Sequence, residues 1–554
     1  MIAQSGSGSS PGARMPRVDW ALALGIAVIT VATRWPYRAR LLPTWDAVQF
    51  ALALERYDVV RHQPHPPGYI LYVALGRLLG LVLEDPVSTL GGLAIAASAV
   101  AVLLLYRLGW QLYGRGAAVL AALGLAASPL FWSYGVVGLS YTVEAALATG
   151  VAVGAWAMRQ GSSRALVCSA VLLGLAGGVR QSMLVILSPL WLGMAWLGFR
   201  RLGPVLAGLG LALVTTVTWF GPMLWLTGPH RYLAATIELY ESTVRPTTLL
   251  GGAWTRNVVG LGEAFVVGVG VFLPVLAWEL RRAPTCLLQG GSRAVFLALW
   301  TLPALAVYAL VHLGQYGYLL TVLPGCYLLV GRALTECVQR SRGIRAPAAW
   351  RGALVGVVFV GAAGAHVAFF TAAGPADALI PAADASWRAR TMSDLRALYR
   401  FRLWSHTAAG LREQDAVIGD YVAAIRRQFD PRDTVLVTEL GNPRSYPWFR
   451  HVMYYLPEYA AYHLRLGEPD PGYLASRELR TMAAVAERRV PLPAAIGRLV
   501  WVVDEWHPRL PRPAALEVRA LPYGRSLYVL QVRRSAVDHA GYQLVPVTAV
   551  ARLR

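Results

Sequence analysis

The chain has 554 residues, of which 56% are hydrophobic and 15% are charged. This balance excludes an ordinary soluble protein of several domains, because long windows such as ALALGIAVITVA carry no charge at all. An apolar window of about 20 residues matches the roughly 30 Å core of a bilayer. The composition therefore predicts a polytopic α-helical membrane protein.

The formal net charge is +21, and the basic residues are arginines. They cluster at the ends of the apolar windows, where they favour lipid headgroups and phosphate groups as partners. The sequence carries no motif of a nucleic-acid-binding module, so we expect membrane lipids and no nucleic acid as partners.

Eleven apolar segments predict transmembrane helices, and a flexible cytoplasmic tail at 1–17 precedes the first of them. No small-residue cleavage site follows the first segment, so we interpret it as an uncleaved signal anchor. The approximate limits of the eleven segments are 18–34, 88–106, 117–132, 141–157, 165–180, 183–199, 204–226, 258–280, 294–312, 317–333 and 351–371.

A further apolar segment, 68–83, is too short for a comfortable crossing. As a helix it spans about 24 Å, at about 1.5 Å per residue, against a bilayer core of roughly 30 Å. If it stays outside, the arginine-rich loops fall on the side of Arg14 and Arg17, as the positive-inside rule requires. If it crosses the membrane, every later loop changes sides and the arginine-rich loops lie outside, against this rule. We therefore predict a juxtamembrane or re-entrant helix at 68–83 within a first outer loop at 35–87.

This topology predicts a multi-pass protein of the plasma (inner) membrane, with a cytoplasmic N-terminus and a transmembrane domain at 18–371. In the extracytoplasmic remainder, ASWRARTMSDLRALYRFRLW and DAVIGDYVAAIRRQF are typical of charged amphipathic helices. DTVLVTEL, RLVWVVDEW and SLYVLQV are typical of short strands. We therefore expect a small α/β domain at 372–554.

The first outer loop carries a carboxylate at a predicted helix start. Pro43 and Thr44 predict this start, which places Asp46 in the first helical turn. A carboxylate there either compensates the helix dipole, by about 0.3–1 kcal/mol, or serves as a general base or metal ligand. The residues alone leave both interpretations open.

Farther along the same loop, RHQPHPPGYILY leads into the apolar 68–83 segment. Pro64 prevents a regular helix between His62 and His65, so a helical metal-binding pair is not expected. A residue before proline also favours extended geometry. His65 is therefore equally compatible with turn structure and with substrate contact.

An Asp shortly after the first span, followed by HPPGY opening an apolar helix, resembles the GT-C glycosyltransferases. Within them it is most similar to the protein O-mannosyltransferase and aminoarabinose-transferase-like group. SPLFWSYGVVGLSYTVEAAL (128–147), HLGQYGYLLTVLPGCYLL (312–329) and FRHVMYYLPEY (449–459) are similar to further segments of that group. The resemblance implies a GT-C-like fold with a C-terminal extracytoplasmic domain.

The resemblance also implies an activity, which is the transfer of a sugar from a polyprenyl-phosphate-linked donor, with inversion, outside the cytoplasm. For Asp46 it implies the carboxylate that orients or deprotonates the acceptor nucleophile, a step that contributes roughly 10²–10⁴-fold. The acceptor stays open among protein, lipid and glycan.

A second acidic candidate, Glu144, lies near the outer end of a predicted span, where an ionisable group is costly and often functional. The alternative is a carboxylate paired with an interfacial arginine or tyrosine. The 133–140 loop lacks the paired carboxylates of some metal-dependent GT-C relatives. No cofactor is therefore assigned, and a divalent cation such as Mg or Mn stays open.

Several donors are candidates for binding the lipid phosphate, whose developing charge needs preorganised partners. Arg180 lies at the predicted outer face, Arg256 just before a later span, and His312 and Gln315 frame an outer turn. A guanidinium binds phosphate oxygens in a bidentate manner. Simple interfacial anchoring is the alternative for each of them.

The HPPGY motif completes the set of substrate-binding candidates. We expect it to stiffen the floor of an outer-face pocket, with His62 and His65 as polar ligands. Gly68 permits a close approach of the chain, and Tyr69 places an aromatic ring at the interface.

Two other functions stay open, namely a transporter or flippase for a lipid-linked molecule and a catalytically silent GT-C scaffold. A transporter predicts paired charges near the bilayer midplane or repeated broken helices. The apolar segments are poor in central charges, and the candidate polar groups concentrate at one face. The silent scaffold is compatible with the weak motif around Glu144.

Overall fold

The structure is a computed structural model that describes residues 14–282, 285, 291–340, 348–372, 403–439, 448–466, 496–506, 512, 516–531 and 542–547. The principal helices are α1 (Arg17–Arg34), α2 (Trp45–Glu55), α3 (Ile70–Leu83), α4 (Pro86–Tyr113), α5 (Arg115–Ala127), α6 (Pro129–Tyr134), α7 (Tyr141–Arg159), α8 (Ser163–Val179), α9 (Ser182–Phe199), α10 (Leu202–Thr227), α11 (Pro229–Leu239), α12 (Trp254–Val269), α13 (Leu273–Leu280), α14 (Ser292–Ala306), α15 (Leu323–Arg340), α16 (Ala348–Ala372), α17 (Ala408–Gln428) and α18 (Phe449–Tyr455). The strands are β1 (Thr434–Glu439), β2 (Ala460–Leu466), β3 (Arg498–Val502), β4 (Leu516–Leu521), β5 (Arg525–Gln531) and β6 (Tyr542–Val547).

The helices confirm the predicted polytopic membrane fold. Within the described residues, seven helices are long and apolar enough to cross a membrane. They are Arg17–Tyr37, Pro86–Tyr113, Ser182–Phe199, Leu202–Thr227, Trp254–Leu280, Ser292–Val311 and Gly352–Ala372. Helix α3 has 14 residues, so its axis is about 21 Å long and falls short of a straight crossing.

Side-chain caps explain where several helices begin. The hydroxyl of Thr44 accepts a hydrogen bond from the Ala47 N–H and starts α2. The carboxylate of Asp85 accepts one from the Ser88 N–H ahead of α4, whose first residue is Pro86. Such caps satisfy backbone donors that have no partner within the helix, and proline suits the first helical position.

The packing of the chain defines two compact units, which we describe separately. The helical unit comprises the described residues of 1–39, 69–226 and 244–411. The sheet unit comprises those of 40–68, 227–243 and 412–554. The first outer loop thus contributes residues to both units.

Small residues allow close helix packing in the helical unit. A Cβ built at Gly331 would lie 2.5 Å from the carbonyl oxygen of Ala117, and one at Gly174 would lie 2.7 Å from that of Ala212. A larger residue at either glycine would force two helices apart. Such contacts between small residues are typical of helices in membranes, where backbones approach closely.

Buried carboxylates at helix ends are paired within the same unit. Asp19 accepts hydrogen bonds from Arg115 and from the Tyr106 hydroxyl, each at 2.8 Å. Arg332 lies 3.0 Å from Glu279. Some of the arginines therefore compensate the charge of acidic side chains that would otherwise be buried without a partner.

The sheet unit contains a six-stranded mixed sheet in the order β4-β5-β3-β1-β2-β6. Strand β1 pairs in parallel with β2 and β3, and the outer strands pair antiparallel. Strands β1, β3 and β5 match the three strands predicted from the sequence. The predicted helix at 385–404 lies almost entirely outside the described residues.

Helix α17 covers one face of this sheet with an apolar stripe. Its residues Val417, Ile418, Tyr421, Ala424 and Ile425 are buried, at a spacing of three and four residues that faces one side of a helix. The strand residues in this core are Leu436, Val500, Val502, Leu527 and Val529. The periodicity of DAVIGDYVAAIRRQF thus gives the helix and its buried face.

Polar contacts hold residues 40–42 of the first outer loop in the sheet unit. The carboxylate of Asp415 accepts hydrogen bonds from the N–H groups of Arg40 and Leu41 at 2.9–3.1 Å. The Leu42 N–H donates to the Tyr455 hydroxyl at 2.8 Å. The segment that precedes α2 is therefore held by residues far along the chain.

Candidate active site

Helix α2 holds Asp46 in the sheet unit. Trp45, the first residue of the helix, packs its ring against Phe449 with 4.9 Å between centroids, which fixes the helix start. Asp46 follows in the first turn, where its side chain is 33% exposed. Its carboxylate is therefore accessible and close to the positive end of the helix dipole.

The structure brings His65 to Asp46. The Nδ1 atom of His65 lies 3.7 Å from the Oδ1 atom of Asp46 and 2.6 Å from the Oε1 atom of Gln49. Asp46 and Gln49 are three residues apart on α2 and therefore share a face of the helix. The carboxylate, the amide and the imidazole form one polar group in the sheet unit.

Three residues in the turn before α3, close to His65 in the sequence, have a positive φ angle. His62, Gly68 and Tyr69 have φ values of 58°, 104° and 43°. The Gly68 N–H donates to the carbonyl oxygen of His65 at 3.0 Å, and the Gly68 carbonyl accepts from the Tyr57 hydroxyl at 2.8 Å. Hydrogen bonds within the turn therefore hold the backbone around His65. Glycine adopts the positive φ angle at position 68 without strain.

His62 lies in the same turn but is fully packed. Only 1% of its surface is exposed, and its N–H donates to the carbonyl oxygen of Val59 at 3.2 Å. It therefore contributes to the turn, whereas His65 contacts Asp46.

The helical unit contains a second polar group, an ion pair between Glu144 and Arg180. The Nη1 atom of Arg180 lies 3.2 and 3.0 Å from the two carboxylate oxygens of Glu144. The Ser140 hydroxyl donates to Glu144 Oε1 at 2.7 Å. Both side chains are buried, with 6% of Arg180 and none of Glu144 exposed. The glutamate therefore compensates the arginine charge and holds its guanidinium in place.

Tyrosines surround the Arg180 guanidinium. Its carbon lies 4.0 Å from the ring centroid of Tyr318, 5.4 Å from that of Tyr141 and 5.7 Å from that of Tyr69. Its Nη2 atom donates to the Tyr69 hydroxyl at 3.2 Å. Cation–π contacts of this kind stabilise a desolvated guanidinium by about 2 kcal/mol.

Two further candidates join this group through the tyrosines. The Tyr141 hydroxyl donates to Gln315 Oε1 at 2.9 Å. The His312 ring packs against Tyr318 with 5.5 Å between centroids, and its Nδ1 atom accepts from the Leu313 N–H. The structure therefore assembles Arg180, Glu144, Tyr69, His312 and Gln315 within the helical unit.

Arg256 is placed differently. It lies exposed on the first turn of α12, and none of the contacts described for that helix joins it to Arg180. Asn257 beside it is buried and bonds the backbone at Thr247, His312 and Gly314.

The described residues offer few ligands for a divalent cation. Within them, no group of three or more His, Cys, Asp and Glu side chains is arranged to hold a metal ion. Asp46 supplies one carboxylate, but the neighbouring imidazole nitrogen is engaged with Gln49. We therefore derive no chemical step through a metal.

Three residues of these polar groups were not predicted from the sequence, namely Gln49, Tyr141 and Tyr318. Gln49 stands three residues after Asp46, and Tyr141 three residues before Glu144, so helical spacing places each beside a candidate. This spacing was a usable signal for both. Tyr318 had none, because only the fold brings its ring over Arg180.

Apolar helices of membrane-spanning length and a separate α/β unit define a polytopic membrane protein, whose fold is shared with the solved ArnT structures described below. The predicted fold is thereby confirmed. No protein-family model matches the sequence, and no curated protein matches it.

Among solved structures, the chain is similar to ArnT from Cupriavidus metallidurans. The form bound to undecaprenyl phosphate aligns with a TM-score of 0.56 and 16% identity, over 93% of this chain and 98% of that one. The apo form aligns with a TM-score of 0.54 and 15% identity, over 92% and 97%. At these identities the similarity shows a shared fold.

Proposed function

We propose that the protein is a glycosyltransferase that moves a sugar from a polyprenyl-phosphate-linked donor to an acceptor hydroxyl outside the cytoplasm. The observation that carries the proposal is the pairing of the Asp46 carboxylate, one third of which is exposed, with His65, 3.7 Å apart, on a GT-C-type fold. This pairing puts a proton acceptor next to a potential phosphate ligand.

The proposed reaction is a single displacement. The acceptor oxygen forms a bond to the anomeric carbon while the bond from that carbon to the phosphate oxygen breaks, so the configuration inverts. Asp46 accepts the proton that the hydroxyl loses, and the electron pair of the broken bond leaves with the polyprenyl phosphate. A carboxylate at this position is a suitable general base because its side chain is 33% exposed and can therefore meet an acceptor hydroxyl.

His65 is the proposed ligand of the phosphate oxygens. Its ring is 12% exposed and is held through Nδ1 by Gln49, so it is oriented before substrate binds. Because Gln49 holds Nδ1, the ring contacts the phosphate oxygens through Nε2, which takes up a proton when the anionic phosphate binds and then donates to it. A donor oriented in this way stabilises the charge that develops on the leaving phosphate.

In the helical unit we assign Arg180 to donor binding and Glu144 to holding Arg180. The two oxygens of Glu144 accept bonds from Arg180 and Ser140, and the carboxylate is fully buried, which suits a supporting role. Tyr69 and Tyr318 add aromatic surface beside the guanidinium.

The undecaprenyl phosphate bound to the similar ArnT supports a polyprenyl phosphate as the lipid partner of this chain. The transporter alternative has less support. The paired acids Asp19, Glu144 and Glu279 each lie within about one turn of a helix end, which does not match the paired midplane charges that are one of the two features predicted for a transporter.

Mass analysis of envelope glycans, glycolipids and glycoproteins tests this function. Cells that produce the protein should carry a sugar modification that is missing when the gene is deleted and is restored by the wild-type chain. Identical glycan profiles in all three strains would contradict the proposal.

A further inference from the structure

We propose that Gln49 is a positioning residue that fixes the tautomer of His65 and keeps Asp46 available to the acceptor. This inference rests on the proposed function for its catalytic consequence. Its structural part stands by itself and can be measured without any transfer assay.

The hydrogen bond identifies the protonated nitrogen of the imidazole. The side-chain oxygen of Gln49 lies 2.6 Å from His65 Nδ1. An amide oxygen only accepts hydrogen bonds, so Nδ1 carries the hydrogen and Nε2 is the nitrogen that takes up or releases a proton. Gln49 therefore selects one of the two neutral forms of the ring.

The same bond separates His65 from Asp46. Both Gln49 Oε1 and Asp46 Oδ1 lie near the same Nδ1 atom, but at 2.6 and 3.7 Å. Only the shorter distance is a hydrogen bond. Without the amide oxygen, the hydrogen is no longer tied to Nδ1, so the equilibrium between the two neutral forms of the ring shifts towards Nε2–H. The lone pair on Nδ1 then competes with Asp46 for the proton of the acceptor hydroxyl.

The burial of Gln49 indicates that its role is the hydrogen bond to His65. Its side chain is fully buried, and its Nε2 atom has no hydrogen-bond partner among the described residues. An unsatisfied buried amide group costs about 1–3 kcal/mol. An apolar residue of the same shape would avoid that cost, and departures of this kind are expected at functional sites.

Two substitutions of similar shape separate positioning from packing. Gln49→Met fills the same volume without an acceptor, whereas Gln49→Glu retains an acceptor oxygen at the same reach. In nitrogen-15 NMR spectra of the histidine-labelled full chain, the His65→Gln variant identifies the ring signals. We expect the Nδ1–H form in the wild type and in Gln49→Glu, and a shifted tautomer equilibrium in Gln49→Met.

The kinetic readout is a loss in kcat. We expect Gln49→Met to lower the kcat of sugar transfer by about tenfold or more, with a smaller change in KM and no loss in the temperature of unfolding. An unchanged tautomer equilibrium in Gln49→Met overturns the inference, as does a substrate-free wild-type ring that carries its hydrogen on Nε2 and not on Nδ1. If the wild type transfers no sugar but the tautomer shifts as expected, the proposed function fails and the positioning of His65 stands.

Discussion

The guanidinium of Arg180 and the carboxylate of Glu144 form a buried ion pair, with 3.0 Å between Nη1 and Oε2. The pair joins α7 to the turn between α8 and α9 in the helical unit. Tyr318 covers the guanidinium on one side at 4.0 Å. The charge of Arg180 is thus balanced inside the unit by residues of the chain itself.

Removing the acid alone should destabilise the helical unit. We expect Glu144→Gln to lower the free energy of unfolding by roughly 3–5 kcal/mol, because it leaves a buried guanidinium uncompensated. The double variant with Arg180→Gln should lose less than the sum of the two single losses. Thermal unfolding in detergent measures both effects.

An exposed ion pair provides the matched control. Arg432 and Asp430 are 2.9 Å apart, but 90% of the Arg432 side chain is exposed. Asp430→Asn should therefore leave the temperature of unfolding almost unchanged. Equal losses from Glu144→Gln and Asp430→Asn would show that the buried pair is not structurally important.

The contact of Asp415 with the first outer loop predicts a local effect on backbone exchange. Asp415→Ala removes the acceptor of the Arg40 and Leu41 N–H groups, so hydrogen–deuterium exchange at both amides should rise by about tenfold or more. Asp420→Ala on the same helix is the control. Unchanged exchange at these amides in Asp415→Ala would mean that the loop is held by other contacts.

A buried histidine makes the stability of the sheet unit depend on pH. Burial lowers the pKa of His451 from 6.5 to about 4, although its hydrogen bond to the Leu42 carbonyl opposes the shift. Between these values the unfolded chain binds a proton that the folded chain does not. The stabilisation is therefore complete above pH 6.5 and is lost as the pH falls towards 4.

The His451→Gln variant isolates this contribution. Its temperature of unfolding should vary less between pH 6.5 and 4 than that of the wild type, by an amount on the order of 3 kcal/mol at most. Parallel profiles for the two proteins would rule out His451 as the titrating group.

Much of the fold follows from local sequence rules. Charge-free windows of membrane-spanning length gave the apolar helices, and the Thr44 cap gave the start of α2 and the position of Asp46. The period of DAVIGDYVAAIRRQF gave α17. These features depend on neighbouring residues alone, which is why a single sequence is sufficient.

The site depended on contacts that neighbouring residues do not encode. Asp46 and His65 were both candidates, but their 3.7 Å contact arises because the HPPGY turn folds back onto α2. The tyrosine ring over Arg180 comes from position 318, and the loop at 40–42 is held by Asp415 and Tyr455. The candidate residues could be recognised in the sequence, but the residues that each of them contacts could not.

The most direct test of the proposed function is a transfer assay with the purified full chain. Wild-type protein, Asp46→Asn and the control Glu55→Gln, on the same helix, are incubated with a polyprenyl-phosphate-linked form of the sugar found by glycan analysis. Release of free polyprenyl phosphate is followed by mass spectrometry. We expect release by the wild type and by Glu55→Gln, and a loss of roughly 10²-fold or more in Asp46→Asn with unchanged thermal unfolding. Full release by Asp46→Asn, or none by the wild type with its own sugar donor, would contradict the assignment of a carboxylate-driven sugar transfer.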